Sequence, residues 1–360
     1  MNKSTLFLAV SAAAVSLLSA ALPTVAAGRT DAASPKYPYG ETGTFNQFVA
    51  ESFRVAGDAN AKTDAHSFFT YMGSQIPADM DAAKPKLAAI KDPQARAQAE
   101  IQLCADLHHA IKKQIPKFSL DRGFEFSNTV KLGERQCYLQ SVTIAALLQR
   151  AGIPAGVAMV SRNEKGAYCN NGHAVPIARL ADGTDIIVDA SDPKPFMTHQ
   201  GLMLSVPTMR SYAYVEPQYN AANQITAYKH MGSGKTIAPA SVATLDVPFL
   251  RSQFDYYRGE RAPGGMFTPD AASKLKQPAG MAESEKWLKR SVAECPRNPL
   301  SVYMLGKVEE RQGQTAAAAK QFKAAYALYS RFGWIPNEEK REMASLVKPA
   351  VKAPRVAAAQ

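Results

Sequence analysis

Apolar positions recur at three- and four-residue spacing through the first third of the chain, in NQFVAESFRVAG (46–57), AHSFFTYMG (65–73) and ARAQAEIQLCADLHHAIKKQI (95–115). This spacing predicts helices, each with one buried stripe. The stripe of the longest holds Ile101, Cys104, Ala105, His108, Ile111 and Ile115, so a histidine is expected at or near the core. Between about 119 and 200 the period changes. The β-branched runs AGVAMVS, AVPIARL and TDIIVDA, separated by turn residues, predict strands. Asp182-Gly183, between the second and third runs, predicts a two-residue hairpin turn. From about 201 to 275 the pattern is irregular, with SVATLDVPFL (241–250) reading as a short strand among loops. Helical spacing returns from Ala282.

These changes divide the 360 residues. A lone Lys3 followed by an uncharged Leu/Ala/Val-rich stretch from Leu6 to Leu22, with small residues at Val25 and Ala27, reads as a removable secretory signal over 1–27. A flexible leader (28–44), rich in Gly, Pro, Ala and Ser, follows. Next are a helical N-terminal part (45–118), a mixed core (119–275), a helical module (276–348) and an Ala/Lys/Pro/Val tail (349–360) expected to be disordered. In the module, LGKVEERQGQTAAAAKQFKAAYALY resembles one tetratricopeptide repeat, with Leu305, Gly306, Gly313, Ala318, Phe322 and Ala325 at the consensus offsets. About one and a half repeats are visible, too few for a free-standing solenoid, so the hairpin is expected to dock on the core and to offer a surface for a protein partner.

The net charge of +11 is spread along the chain, with no aromatic-and-basic ribonucleoprotein motif and no zinc-finger spacing, so no nucleic-acid partner is expected. Beyond the signal no stretch is long and apolar enough for stable membrane insertion. The expected location is therefore exported, periplasmic or secreted. Four cysteines, Cys104, Cys137, Cys169 and Cys295, are too few and too far apart for a disulfide scaffold. With Cys137 kept as a thiol, one bridge at most is available among the other three.

Cys137 opens the apolar stretch CYLQSVTIAALLQR, which Gly152 and Pro154 close. At the first turn of that helix, free backbone N–H groups and the positive dipole end favour an anionic sulfur and can hold an oxyanion. His173 precedes one strand pattern and Asp189 ends the next, sixteen residues on. A thiol, an imidazole and a carboxylate are the parts of a nucleophile activated by an oriented base. Strict pairing about Asp182-Gly183 would set His173 opposite Asp192, which makes Asp192 a rival carboxylate. No metal or cofactor is expected. His108-His109 lacks zinc-protease spacing, and neither His199 nor His230 has a cysteine or carboxylate at ligand spacing in the sequence.

The runs GERQCYLQSVTIAALLQRAGIPAGVAMV and NNGHAVPIARLADGTDIIVDASDP resemble the core of the transglutaminase-like superfamily of papain-like enzymes. The resemblance implies an α+β fold, with the Cys137 helix packed on an antiparallel sheet, and a Cys137–His173–Asp189 triad. It implies Gln136 and Tyr138 as oxyanion or substrate contacts flanking the nucleophile. Val175 departs from the family, where a tryptophan commonly follows the His-Ala pair. The expected activity is acyl transfer, most simply hydrolysis of an amide bond in a peptide or protein substrate. The alternative is a non-catalytic binding or cell-envelope assembly protein that uses the helical hairpin.

Overall fold

The computed structural model describes residues 39, 43–57, 68, 72, 79–169, 172–267 and 278–347. The signal, nearly all of the leader and the C-terminal tail lie outside the described residues. Residues 36–360 form one compact unit of mixed α and β structure.

Of the N-terminal helices α1 (Gly43–Val55), α2 (Met80–Ala89) and α3 (Pro93–Gln114), the first and third fall on predicted stripes, α2 falls on none, and the predicted helix at 65–73 lies almost entirely outside the described residues. Asp79 and Asp92 cap the second and third by accepting free N–H groups, and Pro93 fills a first-turn position where no N–H is needed. The helix α4 (Phe126–Leu132) and a small parallel pair, β1 (Lys117–Phe118) with β2 (Glu134–Arg135), lead into α5 (Cys137–Arg150).

The α5 helix is buried from Cys137 through Gln149. It ends in a Schellman turn. Gly152 lies in the left-handed region and donates to Gln149 O, while Ile153 N reaches Leu148 O at 2.9 Å. The chain is thereby turned into β3 (Ala155–Arg162), beside the helix it has just left.

The sheet runs β5-β4-β3-β6-β7-β8-β9, all antiparallel, built from β4 (Ala174–Arg179), β5 (Asp185–Ile187), β6 (Gly201–Val206), β7 (Ser211–Tyr219), β8 (Ile225–His230) and β9 (Thr236–Ile237). It curls until β5 meets β8 at Asp185 and Ile225. Alternate residues then serve two cores. Val175, Ile177, Ile187, Leu202 and Val215 fill the inside of the curl. Ala174, Ala178, Ile186 and Met203 face outward to α5 and the other helices.

Two sequence expectations are corrected here. The β4–β5 turn has three residues, Ala181 to Gly183, with Gly183 left-handed at φ 87° and Leu180 N bonded to Thr184 O. Register therefore pairs Ile177 with Ile187 and Arg179 with Asp185, one residue away from the two-residue turn. In the second correction, SVATLDVPFL is not a strand. Ser241 ends a 3-10 turn, Ala243 makes one isolated bridge, and Val247 opens α6 (Val247–Glu260). Asp246 caps that helix and a proline sits in its first turn, a start signal that outweighs the apolar run.

The C-terminal helices α7 (Pro278–Glu294), α8 (Pro299–Arg311), α9 (Thr315–Arg331) and α10 (Asn337–Val347) stack in sequence. Gly306 permits the α8–α9 approach, since a Cβ there would stand 2.9 Å from the Phe322 ring. The stack is joined to the sheet by Tyr214 N to Phe332 O (2.8 Å), by Tyr168 Oη to Glu339 Oε1 (2.5 Å) and by Trp334 packed on Tyr168 and Tyr214.

Candidate active site

Gln136 is extended (φ −133°, ψ 160°) and serves as the N-cap of α5, so Cys137 occupies the first helical position. Across from it, His173 precedes β4, and Val160 N holds its carbonyl at 2.7 Å. Ser141 Oγ sits between Cys137 O (2.6 Å) and Ala174 O (2.9 Å), so the hydroxyl bridges the helix start to the residue after His173. The Cys137 thiol neighbours the His173 imidazole closely enough to raise its pKa. Nε2 of that ring donates to Asp189 Oδ2 at 2.7 Å, which leaves Nδ1 for the sulfur.

The one-residue change in the turn decides the carboxylate. Extended two residues past β5, the observed register sets Asp189 opposite Val175, two residues from His173 and on its face of the sheet. Asp192 has its backbone carbonyl bonded to His108 Nε2 (3.1 Å) and Lys112 Nζ (2.5 Å). Its side chain stands 3.8 Å from His199 Nε2.

A second histidine belongs to the site. His199 is buried, and its Nε2 donates to Asp189 Oδ2 at 3.0 Å. Its ring meets His173 edge to face at 5.4 Å. Ser191 N donates to Asp189 Oδ1 at 2.8 Å, so both carboxylate oxygens are engaged. The sequence reading left His199 without a companion carboxylate; the fold supplies two, Asp189 and Asp192. No local pattern announces this, because His199 arrives on a loop with no period. The donor atoms of His173, Asp189 and His199 lie within 4.8 Å of one another, a nitrogen and oxygen set that could hold a transition metal. The 2.7 and 3.0 Å separations are hydrogen-bond lengths, and protons account for the arrangement.

Charge follows from these contacts. Burial alone would push His173 down, but its hydrogen bond with Asp189 and the neighbouring Cys137 thiol outweigh that and hold the imidazole well above an ordinary histidine. Burial would raise Asp189, and the two imidazoles overcome it, keeping the carboxyl ionised well below the usual range. Asp192 moves the other way, raised by burial and by the neighbouring charge of Asp189.

Of the flanking residues, Tyr138 is fully buried, packed on Phe254 and Tyr257, with no partner for its hydroxyl among the described residues. That is a core position. Gln136 is buried with Oε1 unpartnered, and it lies beside the Tyr257 hydroxyl. Tyr257 Oη in turn donates to Gly172 O at 2.7 Å, so α6 clamps the residue before His173.

Arg135, two residues before the cysteine, is buried. It starts a chain of bonds, with Nη1 to Gln140 Oε1 (3.1 Å), then Gln140 Nε2 to Ser191 Oγ (2.7 Å), and so to the Asp189 loop. Cys137 is 7% exposed, and the His173 side chain is 22% exposed, so the site is reached from the imidazole side. A cleft lined by Met159, Tyr168, Cys169, Leu300 and Trp334 includes Gly172, the residue before His173. All four cysteines are free thiols, with Cys104 and Cys295 buried in the core and Cys169 partly exposed.

The chain matches no protein-family profile and no curated protein. Among solved structures it is similar to menin, in a crystal structure reported to reveal the binding site for the Mixed Lineage Leukemia (MLL) protein. The TM-score is 0.40 at 9% identity, over 81% of this chain and 57% of that one. The chain thus spans little more than half of menin's length, and a likeness of this size carries no argument about fold or activity.

Proposed function

We infer that this chain is an exported, transglutaminase-like cysteine enzyme that hydrolyses a peptide or other amide bond. The observation behind it is the joined set of Cys137 at a helix start, His173 bonded to Asp189 with the thiol beside it, and Asp189 held ionised by two imidazoles.

In the reaction, the Cys137 sulfur attacks the carbonyl carbon and a thioester forms. The C–N bond breaks as His173 gives its proton to the leaving amine. Water then attacks the thioester, losing a proton to His173, and the acid departs with the thiol restored. Backbone N–H groups at the start of α5 are placed for the oxyanion, and Asp189 fixes the imidazole against the sulfur. His199 acts one step out, as a positioning residue on Asp189.

Iodoacetamide labelling followed by mass spectrometry tests the nucleophile. Cys137 should alkylate at least about tenfold faster than a cysteine in an unstructured peptide at neutral pH, and His173→Gln should remove the advantage. A Cys137 no faster than the peptide defeats the reading.

The near-complete burial of Cys137 supports a second reading, a non-catalytic binding or cell-envelope assembly protein that engages a partner through the α8–α9 hairpin. In that case labelling is slow, and Cys137→Ala leaves partner capture on isolated cell wall unchanged.

A further inference from the structure

A buried arginine ordinarily meets a carboxylate, because an unpaired guanidinium away from water is costly. Arg135 does not. It is 6% exposed and, among the described residues, makes no ion pair. Its hydrogen bond goes to a neutral amide, Gln140 Oε1, and its Nε has no partner. Asp189 is the acid whose field reaches it, but both Asp189 oxygens are already taken by His173, His199 and Ser191 N. Glu134, its neighbour in sequence, is held bidentately by Arg122.

Position gives this unspent cation a use. Gln136 is extended, so the side chains of Arg135 and Cys137 leave the backbone on the same side. On the outer side, Phe118 is the cross-strand partner of Arg135, and its half-exposed ring lies 5.8 Å from the guanidinium carbon. The cation thus lies on the same side of the backbone as the sulfur, two residues before it, under one surface ring and with Nε unpartnered among the described residues.

We propose that Arg135 binds a carboxylate of the substrate, so that the acyl donor presented to Cys137 carries a negative group close to the bond attacked. This rests on the nucleophile reading above and narrows it to acidic substrates. The planar fork suits a carboxylate, and burial makes the pairing strong.

Two alkylating reagents of nearly equal size test it. Iodoacetate and iodoacetamide both form an S–C bond with loss of iodide, and they differ in the carboxylate. For Cys137 the ratio of iodoacetate to iodoacetamide rates should exceed that of an unstructured peptide thiol by about tenfold or more, the size expected of a charge-assisted hydrogen bond. Arg135→Met should bring the ratio down to the peptide value, and Arg135→Lys, which keeps the charge, should retain most of it. Circular dichroism of both variants establishes that they fold.

Short peptides protecting Cys137 from iodoacetamide identify the source of the carboxylate. Protection by a free-acid dipeptide but not its amide assigns the chain terminus. Protection by an amidated peptide bearing Asp assigns an acidic side chain. A ratio unchanged in Arg135→Met, or protection by neither peptide, overturns the proposal. Slow labelling by both reagents instead defeats the nucleophile reading itself, which is a separate result.

Discussion

Two buried arginines, one two residues before Cys137 and one at the junction of α1, α4, α6 and α7, sit in opposite electrical circumstances. Arg258, at the junction, donates to Glu125 Oε1 (2.7 Å), Glu125 Oε2 (2.9 Å) and Asp255 Oδ1 (2.7 Å), and lies over the Trp287 ring. Its fork is saturated. Arg135, as deeply buried, has one neutral acceptor. The carboxylates are reversed. Asp189 in the site has both oxygens filled, while at the junction Asp255 Oδ2 faces Arg290 Nε at 3.1 Å without an aligned hydrogen bond. The junction closes its charges internally, as a structural joint does. The site satisfies its acid and leaves a cation unspent, which is the pattern of a place awaiting an anion.

The sharpest way to break this contrast is to delete each guanidinium in turn. Arg258→Met strands Glu125 and Asp255 in the interior and should cost about 3–5 kcal/mol in urea unfolding. Arg135→Met abandons only an amide and should cost under about 1 kcal/mol. Equal losses would dissolve the distinction.

The acids give a comparison in pH. Burial raises Asp255 to about 6 against the pull of Arg258 and Arg290. It binds its proton more tightly when folded, so it weakens the fold as pH rises from about 4 to about 6. Asp255→Asn should therefore gain on the wild type across that window, by roughly 2–3 kcal/mol. Asp189 has the opposite sign. Its lowered value adds stability above the unfolded carboxylate range near ~4, lost only as pH falls through its folded value. His173, raised, adds stability that is complete below ~6.5 and is lost as pH climbs through its folded value. The penalty of Asp189→Asn, read by urea unfolding, should thus be largest between about pH 4 and 6.5.

Rates sharpen the site half. Asp189→Asn removes the negative charge both imidazoles donate to and should slow iodoacetamide labelling of Cys137 about a hundredfold. His199→Gln, which keeps an N–H donor for Asp189, should slow it only about fivefold, while shifting the pH profile of labelling. A purely structural His199 would leave that profile in place.

The residues that meet at the site were legible unequally. Cys137 opening a helix could be read because an apolar run with Gly and Pro beyond it is a local signal. His173 and Asp189 could be read as strand-end residues, but their pairing hung on one turn residue, and only the three-residue turn puts them on one face. His199 left no trace, since a loop contact ten residues from Asp189 has no periodicity to reveal it. Arg135 was visible as a letter, yet its meaning lies in what does not reach it, and absence of a partner is a property of the fold alone. The α6 start was legible and misread, with Asp246 and a proline after it outweighed by an apolar run that resembled a strand.

The meeting of β5 with β8 limits how a ligand can be read. β5 is three residues long, is paired along its length with β4 and touches β8 at Asp185, so a visiting polypeptide finds little free ladder there by which to lengthen the sheet. Discrimination then falls to side chains near the sulfur, a mode that suits a short, compact acyl donor better than a long extended one.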